Sequence, residues 1–340
     1  MPGISERSLE ETIETTLLSS GPSGVLREQS PTYGEVLPGG YQRRSAEDYD
    51  RAACLIPSDA LAFVYATQPK EWARFKKVHG ENAREVFLKR LAHEVGKRGT
   101  LDVLRKGVKC DGSRFALAFF RPSSGLNEPL QRLYEGNLFA VVRQLHYSQR
   151  ADQSIDLAVF LNGLPIFTAE LKNPLSGQTV DDAVKQYRAD RDPKEPLLSY
   201  GRCLAHFAVD PDYVYVTTDL QGAKTRFLPF NQGRDGAGGN PPSWKGYATA
   251  YLWEQVSERD KASIEQLEAR LRGDAALAAS VQVNTRDNAR LTFDHVAGDR
   301  LQDMLDSNFK LYREVTDNPQ FAKTLLDWLF ERYLRSTAGA

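Results

Sequence analysis

Cysteine is scarce in this chain of 340 residues, with three isolated thiols at Cys54, Cys110 and Cys203. An odd number without a Cys-x-x-Cys spacing argues against a disulfide framework and against a zinc site, and it suits a reducing compartment. Basic excess is lacking too. Lys plus Arg number 44 against 45 Asp plus Glu, so no global positive field advertises nucleic acid, and any such site has to be a local patch. Arg98, Arg105, Lys106 and Lys109 form one candidate patch and Lys185, Arg188 and Arg191 another, although solvated helix faces account for such charges equally well. No apolar run approaches a membrane span, and the opening residues MPGISERSLEE have no charged and apolar signal sequence, so no membrane is expected and the expected location is cytoplasmic. The phosphate-cradling pattern G-x-x-x-x-G-K-[ST] is absent; Gly222, Ala223, Lys224 and Thr225 lack the upstream glycine, and no ATP site is expected. Helix-turn-helix and zinc-finger spacings are missing as well, which leaves little for a transcription-factor reading.

What the chain does hold is apolar content enough for a core, 41% of residues, and a length that suits two domains or one large domain with an appendage. Leu9, Ile13 and Leu17 fall at helical spacing, predicting a helix over 8–18 with Ser8 and Glu11 as a capping box. Within it Glu10 has two readings: an exposed first-turn acid favoured by the helix dipole, or a carboxylate leaning into a metal site. The stretch 22–40 is dense in Gly, Pro and Ser and reads as a loop. Helical spacing returns from Ala46 and again over 83–95, with 100–104 as a short connector.

The organising stretch is SIDLAVFLNGLPIFTAELK, residues 154–172. Two runs rich in β-branched and aromatic residues, 155–161 and 165–171, flank Asn162 and Gly163, a dipeptide that tolerates the positive φ of a tight hairpin. The period of two sends Glu170 and Lys172 to one face. Asp156 lies near the start of the first strand. An Asp and a Glu-x-Lys on adjacent strands suit metal-assisted phosphodiester hydrolysis: hard carboxylate oxygens hold Mg²⁺, which takes few protein ligands, and a lysine orients the attacking water or neutralises the phosphate. A solvated strand face is the plainer reading of Glu-x-Lys taken alone.

Register decides between them. A strict two-residue turn pairs Leu161 with Leu164 and sets Asp156 opposite Ala169, away from Glu170. A three-residue connection, or a bulge, brings Asp156 opposite Glu170. The hairpin is therefore expected to carry one or the other.

Strands are further predicted over 113–120, 137–142, 202–209, 213–218 and 226–230. A helix over 180–188 places Gln186 and Tyr187 near the hairpin. The order strand, hairpin, helix, strand predicts an α/β sheet with a helix packed on it. Beyond it, residues 258–271 read as an amphipathic helix, and 301–315 with 321–334 as a helical pair opened by Asn318 and Pro319.

With TQPKEW, GTLDVLRKGVK, RQLHYS, ELKNPLSGQTVDDAVKQYRADRDP, HFAVD, FLPFNQG, GNP and YLWE in hand, the chain resembles, from about Glu6 to Leu271, the N-terminal nuclease region of the R (restriction) subunit of type I restriction enzymes, a branch of the PD-(D/E)xK nucleases. The resemblance implies a PD-(D/E)xK nuclease-like mixed central sheet flanked by helices, in the α/β class, followed by a short C-terminal helical segment. The expected organisation is an endonuclease domain over 1–272, a linker over 273–284 and helices over 285–340. It implies a Mg²⁺-dependent endonuclease acting on double-stranded DNA, with Asp156, Glu170 and the Leu171 carbonyl as metal ligands, Lys172 as the catalytic lysine and Gln186 in support. Some relatives carry a tyrosine four residues after that glutamine; here the position is Asp190, and Tyr187 keeps an open role. Implied partners are DNA and the methylase and specificity subunits. R subunits continue into an ATP-driven motor, so this chain resembles a nuclease domain joined to a tail with the motor missing. Its alternative reading is a catalytically silent assembly module for those subunits.

Overall fold

The computed structural model describes residues 6–19, 41–120, 128–174, 177–233, 238–241 and 246–256. The expected helices over 258–271, 301–315 and 321–334, and the linker over 273–284, lie outside them. In chain order the elements are α1 (Glu6–Ser19), β1 (Tyr41–Arg44), α2 (Pro57–Thr67), α3 (Pro69–His79), α4 (Ala83–Arg98), α5 (Thr100–Lys106), β2 (Val108–Cys110), β3 (Ser113–Phe115), α6 (Glu128–Glu135), β4 (Phe139–His146), β5 (Ser154–Leu161), β6 (Leu164–Leu171), α7 (Val180–Ala189), β7 (Ala205–Val209), β8 (Val214–Thr217) and β9 (Leu228–Pro229). The architecture is mixed α/β, with a central, mostly antiparallel sheet flanked by helices. Among the described residues no helix is long and apolar enough to cross a membrane.

Two compact units divide the chain. Of the described residues, one holds those of Glu10–Glu170 with Arg191–His206, and the other includes those of Leu171–Asp190 and those from Phe207 to 256. In the first, β1 pairs parallel with β4, which runs antiparallel to β5, and β5 antiparallel to β6. β5 and β6 are buried along nearly their whole length, which is why they read as near-continuous apolar runs instead of alternating ones. In the same unit Trp72, Phe75, Phe87 and Phe115, from α3, α4 and β3, form an aromatic cluster with ring centroids 5.1–6.1 Å apart. In the second, β8 pairs antiparallel with β9, and Tyr187 of α7 is buried with its ring 5.6 Å from that of Phe227.

Several sequence expectations change in detail. α1 starts at Glu6, two residues ahead of the predicted cap, so Ser8 sits inside the helix instead of capping it. The strand β1 falls between the Gly/Pro-rich stretch and the predicted helix, in a YQRR segment too short and polar to announce itself. Residues 100–106 are a helix, α5, and not a connector. The strand predicted over 113–120 ends at Phe115, because the Ala116 N–H and carbonyl are taken by the Gln68 side chain, 2.7 and 3.0 Å away, and not by a neighbouring strand.

The β5–β6 hairpin turns on two residues and also carries a bulge. Asn162 and Gly163 have φ of 51° and 78°, the pair of positive values a type I′ turn requires. Leu161 therefore pairs with Leu164 and Phe160 with Pro165, but Val159 then pairs with Phe167, leaving Ile166 as the extra residue. The Ile166 carbonyl accepts the Leu204 N–H at 2.8 Å, so the group the bulge frees is satisfied. Beyond the bulge Leu157 pairs with Ala169, and continuing that register sets Asp156 opposite Glu170. Of the two devices the sequence allowed, the chain uses the bulge.

Candidate active site

Asp156 and Glu170 occupy facing positions on two central strands, 8% and 0% exposed. Charges this deeply buried need partners. Glu170 has one on one side: Arg191 Nε donates to its Oε1 at 2.7 Å. Arg191 is itself buried, donates from Nη2 to the Ser154 carbonyl at 2.8 Å, and sets its Cζ over the Tyr147 ring, 5.9 Å from the centre. Glu170 Oε2 is buried and accepts no hydrogen bond among the described residues.

Burial, with the negative charge of Asp156 second, raises the Glu170 carboxyl from its ordinary 4.5 to about 8 against the opposing pull of Arg191. The two carboxyls are close enough to share a hydrogen bond when Glu170 carries a proton. With both ionised there is no proton to share, which is the state in which Oε2 stands orphaned.

Glu10 joins the cluster from α1, more than a hundred residues away in sequence. It is 4% exposed, so the solvated first-turn reading is corrected. Gln144 Nε2 donates to Glu10 Oε1 at 2.8 Å and to Asp156 Oδ1 at 3.2 Å, and its Oε1 accepts the Ser154 hydroxyl at 3.0 Å. Arg143 Nε donates to Glu10 Oε2 at 3.1 Å. Burial and then the charge of Asp156 raise the Glu10 carboxyl, while Arg143 and Gln144 pull it back.

The structure thus brings together Glu10, Asp156 and Glu170 within the first unit. Leu171 and Lys172 follow Glu170 directly along the chain but belong to the second, where Lys172 is 7% exposed and its backbone N–H donates to the Val209 carbonyl at 2.8 Å. Gln186, half-buried on α7, also belongs to the second unit.

Two residues that matter here were not singled out from the sequence. Gln144 lies within RQLHYS, and its bridging role rests on a positive φ that no sequence pattern marks. Arg191 does not join the exposed patch expected of Lys185, Arg188 and Arg191, since it is buried against Glu170. The other patch residues are also largely occupied: Arg98 pairs with Glu94 and Asp102, Lys106 with Asp102, Lys185 with Asp182, and Arg188 donates to the Thr225 carbonyl. Beside Glu10 an open groove of about 500 Å³ is lined by Glu11, Glu14, Thr15, Arg43, Arg44 and Arg143, and its arginines are likewise occupied, Arg43 by Glu14, Arg44 by Asp59 and Arg143 by Glu10.

Does the cluster fit a divalent cation? Among the described residues no group of three His, Cys, Asp or Glu side chains is arranged to hold a metal. Mg²⁺, however, is commonly held by one or two carboxylates with water completing its shell. Two facing carboxyls with one orphaned buried oxygen fit that donor set, because a cation relieves both the repulsion and the unsatisfied lone pair.

A mixed α/β fold that buries facing acids on central strands is consistent with a nuclease-like fold. Residues 67–225 match the family model of the type I restriction enzyme R protein N terminus. This segment holds Asp156, Glu170, Leu171, Lys172, Gln186, Gln144 and Arg191, and leaves Glu10 outside. Comparison with curated proteins and with solved structures returned no match.

Proposed function

We propose that this chain is a Mg²⁺-dependent endonuclease domain of a type I restriction R subunit, hydrolysing phosphodiester bonds of double-stranded DNA. The observation that carries the reading is the bulge at Ile166, which sets Asp156 opposite Glu170 in a segment matching that family.

Asp156 and Glu170 would hold the cation, each through a carboxylate oxygen, with the Leu171 carbonyl as the expected third protein ligand. Bound there, Mg²⁺ supplies charge stabilisation of the scissile phosphate and acidifies a coordinated water. The protein's own part is positional. Gln144 and Arg143 hold Glu10 beside Asp156, Lys172 is assigned to orienting the attacking water or neutralising the phosphate, and Gln186 to supporting it.

The test is cleavage of supercoiled plasmid with Mg²⁺. Asp156→Ala and Lys172→Ala should each lower nicking on the order of a thousandfold, several kcal/mol of transition-state stabilisation. Nicking untouched by both changes would place the chemistry elsewhere. Capture of methylase and specificity subunits without any cleavage would favour the assembly-module reading.

A further inference from the structure

Glu170 is engaged from one side only, and the way it is engaged limits how it can bind a metal. Its Oε1 takes the Arg191 Nε hydrogen at 2.7 Å while Oε2 takes none. Arg191 cannot readily give that bond up. Its Nη2 is tied to the Ser154 carbonyl at 2.8 Å, its Cζ lies over the Tyr147 ring 5.9 Å from the centre, and both partners of the ion pair are buried, 7% and 0% exposed at the side chain. A buried guanidinium held at two hydrogen-bonding points is a fixed fork, not a mobile surface charge.

We infer that Arg191 is a positioning residue that makes Glu170 a one-oxygen ligand and thereby sets the site's preference for a small divalent cation over Ca²⁺, an inference that rests on the metal-centred reading above. Mg²⁺ and Mn²⁺ accept six donors in near-octahedral array, one oxygen from each carboxylate. Ca²⁺ takes six to eight oxygens and gains from bidentate carboxylates. The Arg191 bond takes one lone pair of Oε1, draws off its charge and fixes the carboxylate's orientation, so the bidentate mode at Glu170 is disfavoured, and the loss falls on Ca²⁺ more than on the smaller ion. Arg191 also comes from the chain just past α7 to reach β6, so its hold on the Ser154 carbonyl links the start of β5 to the carboxylate of β6.

The test measures binding on the full chain without DNA. Mn²⁺ is followed through the loss of its free-ion paramagnetic signal, and Ca²⁺ is added as the competitor. The wild-type chain should hold Mn²⁺ against Ca²⁺. Arg191→Ala should lower that preference by about tenfold, the lower end of what partners of metal ligands contribute, mainly through tighter Ca²⁺. Arg191→Lys keeps the charge and loses the fork, and should lower the preference in the same direction. If Arg191→Ala does not fold, as circular dichroism would report, Arg191→Lys decides alone. A preference unchanged in the folded variant overturns the inference while leaving the metal site standing. Mn²⁺ binding equal in the wild type and in Asp156→Ala with Glu170→Ala overturns the metal reading itself, and the inference with it.

Discussion

Gln144 stands opposite Asp156 across the β4–β5 ladder, at the one position between Arg143 and Leu145 where the pairing lapses, and with a φ of 48°. The left-handed backbone aims a single amide nitrogen at two carboxylates, Glu10 and Asp156. Such a conformation costs a non-glycine residue about 1–2 kcal/mol. It persists here because the carboxylates need a donor.

That arrangement predicts an inverted order of stabilities. At an ordinary strand position Gly is less stable than Ala by about 0.5–1 kcal/mol. At position 144 the Gln144→Gly variant should be more stable than Gln144→Ala by about 1 kcal/mol, since both lose the amide and only Ala keeps the strain. Urea midpoints of the two variants check it, and Ala above Gly would remove the strain argument.

The hairpin turn predicts a steric failure. A Cβ on Gly163 would lie 2.4 Å from the Ile56 carbonyl oxygen and 2.8 Å from the Ala60 nitrogen, at a φ of 78°. Both neighbours are backbone, so neither can swing aside. Gly163→Ala should cost at least about 2 kcal/mol and disturb the register that faces Asp156 with Glu170. Thermal unfolding measures the first effect, and loss of Mn²⁺ binding reports the second.

Metal should stabilise the fold if the facing carboxylates are its ligands. At a free Mg²⁺ concentration a hundred times the dissociation constant the gain is about 2.7 kcal/mol. The thermal midpoint of the wild type should rise accordingly, and that of Asp156→Ala should not. An equal rise in both would show the ion acting on the general surface charge.

His206 predicts an acid-side loss of stability. The ring is fully buried, with Nδ1 2.7 Å from the Thr168 hydroxyl, and burial lowers it from 6.5 to about 3. Between those values the unfolded chain binds a proton that the folded chain refuses, so stability rises with pH across the window and is lost as pH falls below about 6.5. From pH 7 to pH 5 the loss from this group is about 2 kcal/mol. Chemical denaturation of wild type and His206→Gln at both pH values tests it, and the variant's loss should be smaller by that amount.

Much of the fold was legible because its signals are local. Residues 154–171 announced themselves as a hairpin by composition, and Asn162–Gly163 by the φ values only such a pair adopts easily. The helix expected over 180–188 is α7, Val180–Ala189. The strand β1 was not, since four residues, two of them arginine, carry no period; it is a strand because β4 offers it a parallel edge.

The sequence by itself determined which acids could serve and that only certain registers would let them meet. Tertiary structure decided the rest. It supplied the bulge at Ile166 that turns Asp156 toward Glu170, buried Glu10 beside them through Arg143 and Gln144, and drew Arg191 out of its supposed surface run into an ion pair with Glu170. Each of these depends on residues far apart in the chain competing for the same buried volume and the same few hydrogen-bond partners. Periodicity and turn chemistry report only on near neighbours, whereas the satisfaction of a buried charge is settled by whatever the folded chain brings against it.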